Sequence, residues 1–239
     1  MEEWLLSLFK EESAADTEII ATSDVASRAL SVTAVETDFV EKVYGNLASV
    51  YDVFFGPTLH AGRLEAIRNI SIKPGDKVLE VGVGTAINAT LYPRHCSVTG
   101  VDLSASMLEK AARRIQRHKV SNMRLLQMDA ANLKFPDESF DTVYAPYLMS
   151  VVPDPVQVAR EMVRVCRTGG RVVFLNHFKS ENPILSRIEQ LLSPMTVHVG
   201  FKLDLDMQAF FAQTGINPES IKKVNVPRMW SLVSCIKGE

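Results

Sequence analysis

The chain has 239 residues, 46% hydrophobic and 23% charged, which supplies a real core and excludes global disorder. Its net charge of −2 hides a split: residues 1–41 carry ten acids and two bases, a balance of −8, and residues 42–239 carry eighteen acids and twenty-four bases, a balance of +6. Three scattered cysteines, Cys96, Cys166 and Cys235, and no apolar run near the roughly 18 residues of a membrane span exclude a disulfide framework and a transmembrane helix.

The start, Met1-Glu2-Glu3, lacks the basic segment of a signal peptide, so the expected location is cytoplasmic. Trp4, Leu5, Leu6, Leu8 and Phe9 form a short apolar cluster, and Ser, Thr, Ala and acids dominate 11–38. Residues 1–38 therefore read as an acidic extension. A domain is expected over 39–239. It opens on a helix, 40–55, where Val40, Val43, Tyr44, Leu47, Val50, Tyr51, Phe54 and Phe55 recur at helical spacing until Gly56-Pro57 stops it.

From Lys77, short β-branched runs alternate with helical patterns. Strands are expected at 77–82, 97–102, 123–128, 140–147 and 171–178. Ser104 begins a helix with Met107, Leu108, Ala111 and Ile115 inward. Asp154-Pro155 begins another, burying Val158, Ala159, Met162 and Val165 and closing at Gly169-Gly170. Further helices are expected at Pro183–Met195 and Leu205–Phe211, and an antiparallel hairpin at Ile221–Val226 and Trp230–Ile236. Alternating strands and helices make this an α/β protein, a Rossmann-like doubly wound, mostly parallel sheet.

The first strand runs into Gly82-Val83-Gly84-Thr85-Ala86, a turn that lets backbone approach a cofactor at the ligand crevice of such a sheet. The dinucleotide fingerprint needs a glycine where Ile87 stands, which argues against NAD or FAD. Asp102, 20 residues after Gly82, ends the next strand, where a carboxylate accepts hydrogen bonds from ribose hydroxyls; its other reading is an N-cap beside Ser104. His60, His95, His118 and His198 show no ligand spacing, so no metal is expected.

The ordered series VLEVGVGTA, TGVDLS, MDAANLKFPDESFD and VCRTGGRVV resembles the motifs of class I S-adenosylmethionine-dependent methyltransferases, over about residues 74–178. That resemblance implies S-adenosylmethionine as cofactor. Glu80, Gly82, Gly84 and Thr85 would shape its methionine end, Asp102 would hold the ribose, and Leu103 and Met107 would lie beside the adenosine. Asp129 and Ala130 would meet the adenine. Ala86 departs from the family's third glycine: its methyl is harmless if φ is negative and costs affinity if left-handed geometry is required. Thr168 stands where the family usually has proline.

Outside these motifs, YDVFFGPTLHAGR (51–63), PYLMSVVPDP (146–155) and FLNHF (174–178) resemble the bacterial phosphatidylethanolamine N-methyltransferases, which methylate an ethanolamine headgroup towards phosphatidylcholine at the membrane surface. An ethanolamine nitrogen must lose a proton before it attacks, and Tyr51, Tyr147 and His177 are the candidates to take it. Tyr51 also belongs to a YD element resembling the family's cofactor lid. Tyr44, Tyr51, Phe55 and Tyr147 could cage a methylated cation, although packing alone explains the helical stripe of the first three. Pro146 removes a backbone donor beside the expected reacting centre.

A phospholipid acceptor implies a protein peripherally associated with the membrane. Anionic lipid would be met by Arg113, Arg114, Arg117 and Lys119 on one helix, and by Arg63, Arg68, Lys222, Lys223 and Arg228. Apolar insertion would come from Trp4–Phe9 or the 183–195 helix. The alternatives are a quinone-precursor methyltransferase, suggested by the FPDESFD motif, and a non-catalytic binding module. No nucleic-acid partner is expected, for want of an aromatic-interleaved basic motif. Oligomeric state is not legible.

Overall fold

A computed structural model describes residues 59–179, 205–225 and 229–238. The extension 1–38, the helices expected at 40–55 and Pro183–Met195, Tyr51 and the end of the first hairpin strand lie outside the described residues.

A helix, α1, covers 59–69. It is followed by β1 (Lys77–Val81), a short 3-10 helix (Ile87–Thr90), β2 (Ser97–Asp102), α2 (Ala105–Arg117), β3 (Met123–Gln127), β4 (Phe140–Pro146), α3 (Pro155–Val165), β5 (Cys166–His177), α4 (Met207–Thr214), β6 (Ser220–Val224) and β7 (Trp230–Ile236). The seven strands form one sheet in the order β3-β2-β1-β4-β5-β7-β6. β1 to β5 run parallel, and β7 pairs antiparallel with both β5 and β6. The doubly wound sheet with its terminal hairpin is the architecture the alternating pattern implies.

β1 reads KVLEV because both of its faces are covered, as a central parallel strand requires. Leu79 and Val81 join Val143, Val172, Phe174 and Val233 on one face. They pack under Val158, Ala159, Met162 and Val165 of α3 and Phe210 and Phe211 of α4. The Phe174 ring meets Phe210 and Phe211 edge-on at 5.6 and 5.7 Å. On the other face Val78, Tyr144, Val173, Leu175 and Leu232 pack against Leu59, Ala66 and Ile67 of α1 and Ile70 just after it. Deleting one of these large side chains would cost about 2–5 kcal/mol.

Helix caps follow the sequence signals. Ser104 Oγ accepts from the Met107 N–H, Asp154 Oδ1 from Gln157 and Asp206 Oδ1 from Ala209. Several boundaries differ from the pattern. α3 ends at Val165, because Cys166 is already extended and pairs with Phe140, so Gly169-Gly170 lies inside β5 rather than closing the helix. α4 runs to Thr214, where Gly215 at φ 69 ends it. β4 stops at Pro146, which pairs with Leu175 and leaves Tyr147 outside the strand.

The order reverses at β1, which has β2 on one side and β4 on the other. In such sheets ligands bind beyond the carboxyl ends of the two strands at that point. Among the described residues, the turn after β1 and residues 147–150 after β4 follow those strand ends.

Candidate active site

The turn after β1 is held from below. The N–H groups of Gly82 and Val83 both donate to Val101 O at 2.9 Å. Gly82 sits at φ 72, and a Cβ there would stand 2.7 Å from Leu148 Cδ1, so the position needs glycine twice over. Among the described residues, a Cβ at Gly84 would meet no atom within 4 Å, which leaves open ground beside the turn. Ala86 takes φ 56, ψ 43, so the third position does require left-handed geometry, and alanine bears the strain there. Its methyl is buried with Val83, Ala89 and Ala111.

Asp102 closes the turn. Its Oδ2 accepts from Gly84 N–H at 2.7 Å and its Oδ1 from Ser104 N–H at 2.9 Å. A carboxylate has about four acceptor sites, so each oxygen keeps room for a hydroxyl. Burial raises the Asp102 pKa against the lowering effect of the Ser104, Gly84 and Leu103 N–H groups. Leu103, beside it, is a large apolar side chain left 37% exposed. Met107 is buried on α2. Asp129 is exposed and its Oδ1 caps the Ala131 N–H at 2.8 Å, with half-buried Ala130 next to it. The loop behind them is pinned by Arg164, which reaches Glu161 and Asp137 at 2.7 Å and the carbonyls of Phe135 and Leu133 at 2.8 Å.

Glu80 is fully buried on the α1 face. Its Oε1 accepts from Asn88 Nδ2 at 2.7 Å and its Oε2 from the Tyr92 hydroxyl at 2.5 Å. Burial pushes its pKa up to about 7, opposed by the Tyr92 hydrogen bond and the nearby Arg63 charge. Arg63, expected on a basic surface, is buried instead, with its guanidinium 4.8 Å from the Tyr147 ring centroid.

Tyr147 stands in left-handed backbone at φ 59. Its hydroxyl donates to Leu59 O and accepts from Asn225 Nδ2, both at 3.0 Å. Asn225 Oδ1 in turn accepts from the Gly62 N–H. His177, 2% exposed, ends β5 with its ring edge-on to Trp230 at 6.2 Å. Asn176, the residue before it, donates to His177 O at 2.6 Å and accepts from the Ser150 hydroxyl at 3.1 Å. The structure thus gathers Glu80, Gly82, Gly84, Thr85 and Asp102 around one turn and sets Tyr147 at the end of the adjacent strand.

Arg114 Nη1 donates to Thr85 O at 2.8 Å and to Thr85 Oγ1 at 2.7 Å, so this member of the basic cluster braces the glycine turn. Arg113 pairs with Glu109 at the surface. Arg117 and Lys119 lie at the far end of α2, which runs back from the Asp102 edge to the start of β3. Asn88, Tyr92, Arg114 and Asn225 are site residues that no motif or spacing announced.

Open ground at Gly84, spare acceptor sites on Asp102 and an exposed apolar wall at Leu103 fit a nucleoside-bearing cofactor. Residues 79–174 match a family model described as a methyltransferase domain. The chain is 40% identical over 174 residues to the phosphatidylethanolamine N-methyltransferase of Cereibacter sphaeroides, covering 72% of this chain and 85% of that one. This protein belongs to the class I S-adenosylmethionine-dependent methyltransferases.

It is also 33% identical over 156 residues to the demethylmenaquinone methyltransferase of Lysinibacillus sphaericus, covering 62% of this chain and 66% of that one. The crystal structure of YcgJ from Bacillus subtilis superposes with a TM-score of 0.64 at 20% identity, covering 74% of this chain and 99% of that one, which shows a shared fold. S-adenosylmethionine is the cofactor of this methyltransferase. Among the described residues, no helix is long and apolar enough to cross a membrane.

Proposed function

We propose that this methyltransferase transfers methyl groups to the amino group of a phosphatidylethanolamine-type lipid, towards phosphatidylcholine, at an anionic membrane surface. The likeness to the Cereibacter sphaeroides enzyme over 72% of the chain carries the reading. S-adenosylmethionine supplies a methyl already activated on a sulfonium, so the protein's work is placement and proton removal. In-line placement alone can supply about 7–11 kcal/mol.

Asp102 holds the ribose hydroxyls with the acceptor sites that Gly84 and Ser104 leave free. Leu103 and Met107 flank the adenosine, Asp129 and Ala130 meet the adenine, and Gly82, Gly84 and Thr85 line the methionine end over Glu80. The acceptor nitrogen arrives as an ammonium and gives up a proton to His177 or, where its own hydroxyl proton moves on, to Tyr51; the hydroxyl of Tyr147, the third candidate, already donates to Leu59 O and accepts from Asn225. Tyr147 walls the acceptor side, where its ring and hydroxyl are fixed by Arg63, Leu59 and Asn225.

Labelled S-adenosylmethionine incubated with the purified protein and mixed phospholipid vesicles tests this. Label in mono-, di- or trimethylated ethanolamine lipid is expected. Label on an added demethylated quinone, and none on lipid, would instead establish the second reading, which the Lysinibacillus sphaericus likeness favours. His177→Ala should lower turnover far more than cofactor affinity; unchanged turnover removes His177 from the scheme.

A further inference from the structure

Asn176 ties the end of β5 to the segment after β4. Its Nδ2 donates to His177 O at 2.6 Å. Its Oδ1 accepts from the Ser150 hydroxyl at 3.1 Å and, more weakly, from the Ser150 N–H at 3.4 Å. A backbone carbonyl can only accept, so His177 O fixes which way round the Asn176 amide stands. The amide oxygen can likewise only accept, so Ser150 spends its one hydroxyl proton on Asn176. What the Ser150 oxygen has left to offer is lone pairs.

Ser231 of β7 stands in register opposite Asn176. It is fully buried, and its hydroxyl bonds to nothing among the described residues. Directly opposed residues of an antiparallel pair carry Cβ atoms about 4.5–5.5 Å apart, so Ser150, Asn176 and Ser231 form one buried polar patch. An idle hydroxyl in such a place costs stability until something bonds to it. The patch lies where an acceptor must come. Pro146 ends β4 and pairs with Leu175, so Asn176 stands one residue further, at the carboxyl edge of the sheet. Residues 148–150 join the cofactor turn to the patch: a Cβ on Gly82 would stand 2.7 Å from Leu148 Cδ1, and Ser150 is two residues on.

We propose that Ser150 and Ser231 form a seat that accepts hydrogen bonds from the N–H groups of the acceptor amine, with Asn176 aiming the Ser150 oxygen. The inference rests on the reading of the acceptor as an ethanolamine lipid. Neutral side chains suit the task. A carboxylate beside the nitrogen would favour its ammonium form and oppose the proton loss that precedes attack. A hydroxyl oxygen accepts an N–H from either form. The seat makes successive transfers unequal. In each, the nitrogen lone pair forms the new N–C bond as the sulfonium C–S bond breaks and S-adenosylhomocysteine leaves, the proton shed beforehand having gone to the base. The attacking amine carries two N–H groups in the first transfer, one in the second and none in the third. The seat therefore holds the attacking nitrogen in the first two transfers and has nothing to hold in the third.

Ser231→Ala in the full chain tests this, assayed with labelled S-adenosylmethionine on vesicles of phosphatidylethanolamine and of its monomethyl and dimethyl forms. On the unmethylated lipid kcat/KM should fall about tenfold, and on the dimethyl lipid it should stay within about twofold. S-adenosylhomocysteine affinity should also stay within about twofold. Because the Ser231 hydroxyl bonds to no described residue, its loss should leave the unfolding midpoint unchanged or higher, which separates lost activity from lost folding. Ser150→Ala should show the same dependence on the methylation state of the lipid. An equal fall on all three lipids, or no fall on any, overturns the seat. Wild-type protein that labels an added demethylated quinone and no ethanolamine lipid would overturn the lipid reading and the seat with it, a failure visible before any variant is made.

Discussion

Asn225 Nδ2 donates to the Tyr147 hydroxyl at 3.0 Å, and both residues hold left-handed backbone, at φ 64 and φ 59. Such geometry costs roughly 1–2 kcal/mol per residue and persists only where the surroundings enforce it. Here they do. Asn225 also accepts from Gly62 N–H, and Tyr147 also donates to Leu59 O, so the first turn of α1, the end of β4 and the hairpin turn lock one another. A Cβ at Gly62 would stand 2.6 Å from Asn225 Oδ1, so any larger residue there would push the Asn225 amide aside and loosen the lock.

Tyr147→Phe would leave Leu59 O and Asn225 Nδ2 unsatisfied in a buried site. Stability should fall by about 1–3 kcal/mol, read as a lower unfolding midpoint. Turnover should fall further than cofactor affinity. A midpoint within error of wild type would show that the lock does not depend on the hydroxyl.

Glu80 gives stability a pH dependence whose sign is fixed. Its folded pKa, about 7, lies above its ordinary value of 4.5, so between those values the folded state binds more protons than the unfolded state. The stabilisation is present in full below 4.5 and is lost as pH rises through about 7. Asp102, also raised by burial, acts in the same direction. The cofactor-free protein should therefore melt higher at pH 6 than at pH 8, and Glu80→Gln should flatten that difference. An equally steep profile in the variant would assign the dependence to other groups.

Arg114→Ala and Arg113→Ala separate a brace from a surface charge. Losing the two bonds to Thr85 should cost about 1–3 kcal/mol and weaken cofactor binding severalfold. Arg113 pairs with an exposed glutamate, and removing it should change stability by less than about 0.5 kcal/mol. Equal effects from the two, measured by denaturant unfolding and calorimetry, would contradict this division.

At Ala86 the competing terms nearly cancel. Glycine would relieve left-handed strain of roughly 1–2 kcal/mol. It would also lose a buried methyl, worth about 0.8 kcal/mol, and add about 0.4–1 kcal/mol of unfolded-state entropy. Ala86→Gly should therefore shift stability by less than about 1 kcal/mol. Gly82→Ala has no such compensation, because strain and the Leu148 clash add, and both unfolding midpoint and cofactor binding should fall.

The strands were legible because each central one is a short, mostly apolar run containing valine, and α2 and α3 because their apolar faces repeat at helical spacing. Gly169-Gly170 misled as a helix end, since pairing of Cys166 with Phe140 is a tertiary event that no local signal marks. Within the site, the glycine turn and Asp102 could be read from spacing along one chain segment. Asn225 could not: it meets Gly62 across 163 residues of sequence. Arg63 looked like any surface base, and only the packing of α1 on the sheet turned it inward.

The direction of α2 has an electrostatic consequence. Its 13 residues span about 20 Å, from the Asp102 edge to a terminus bearing Arg117 and Lys119. Those charges therefore form a positive pole on the side of the sheet away from the reactive turn. Near an anionic bilayer such a pole exerts a torque that turns the crevice towards bulk water. If the acceptor is a lipid, as proposed, productive docking would have to overcome it through short-range contacts beside the crevice, and moderate salt, which screens beyond about 8 Å, should raise turnover on anionic vesicles before it lowers it.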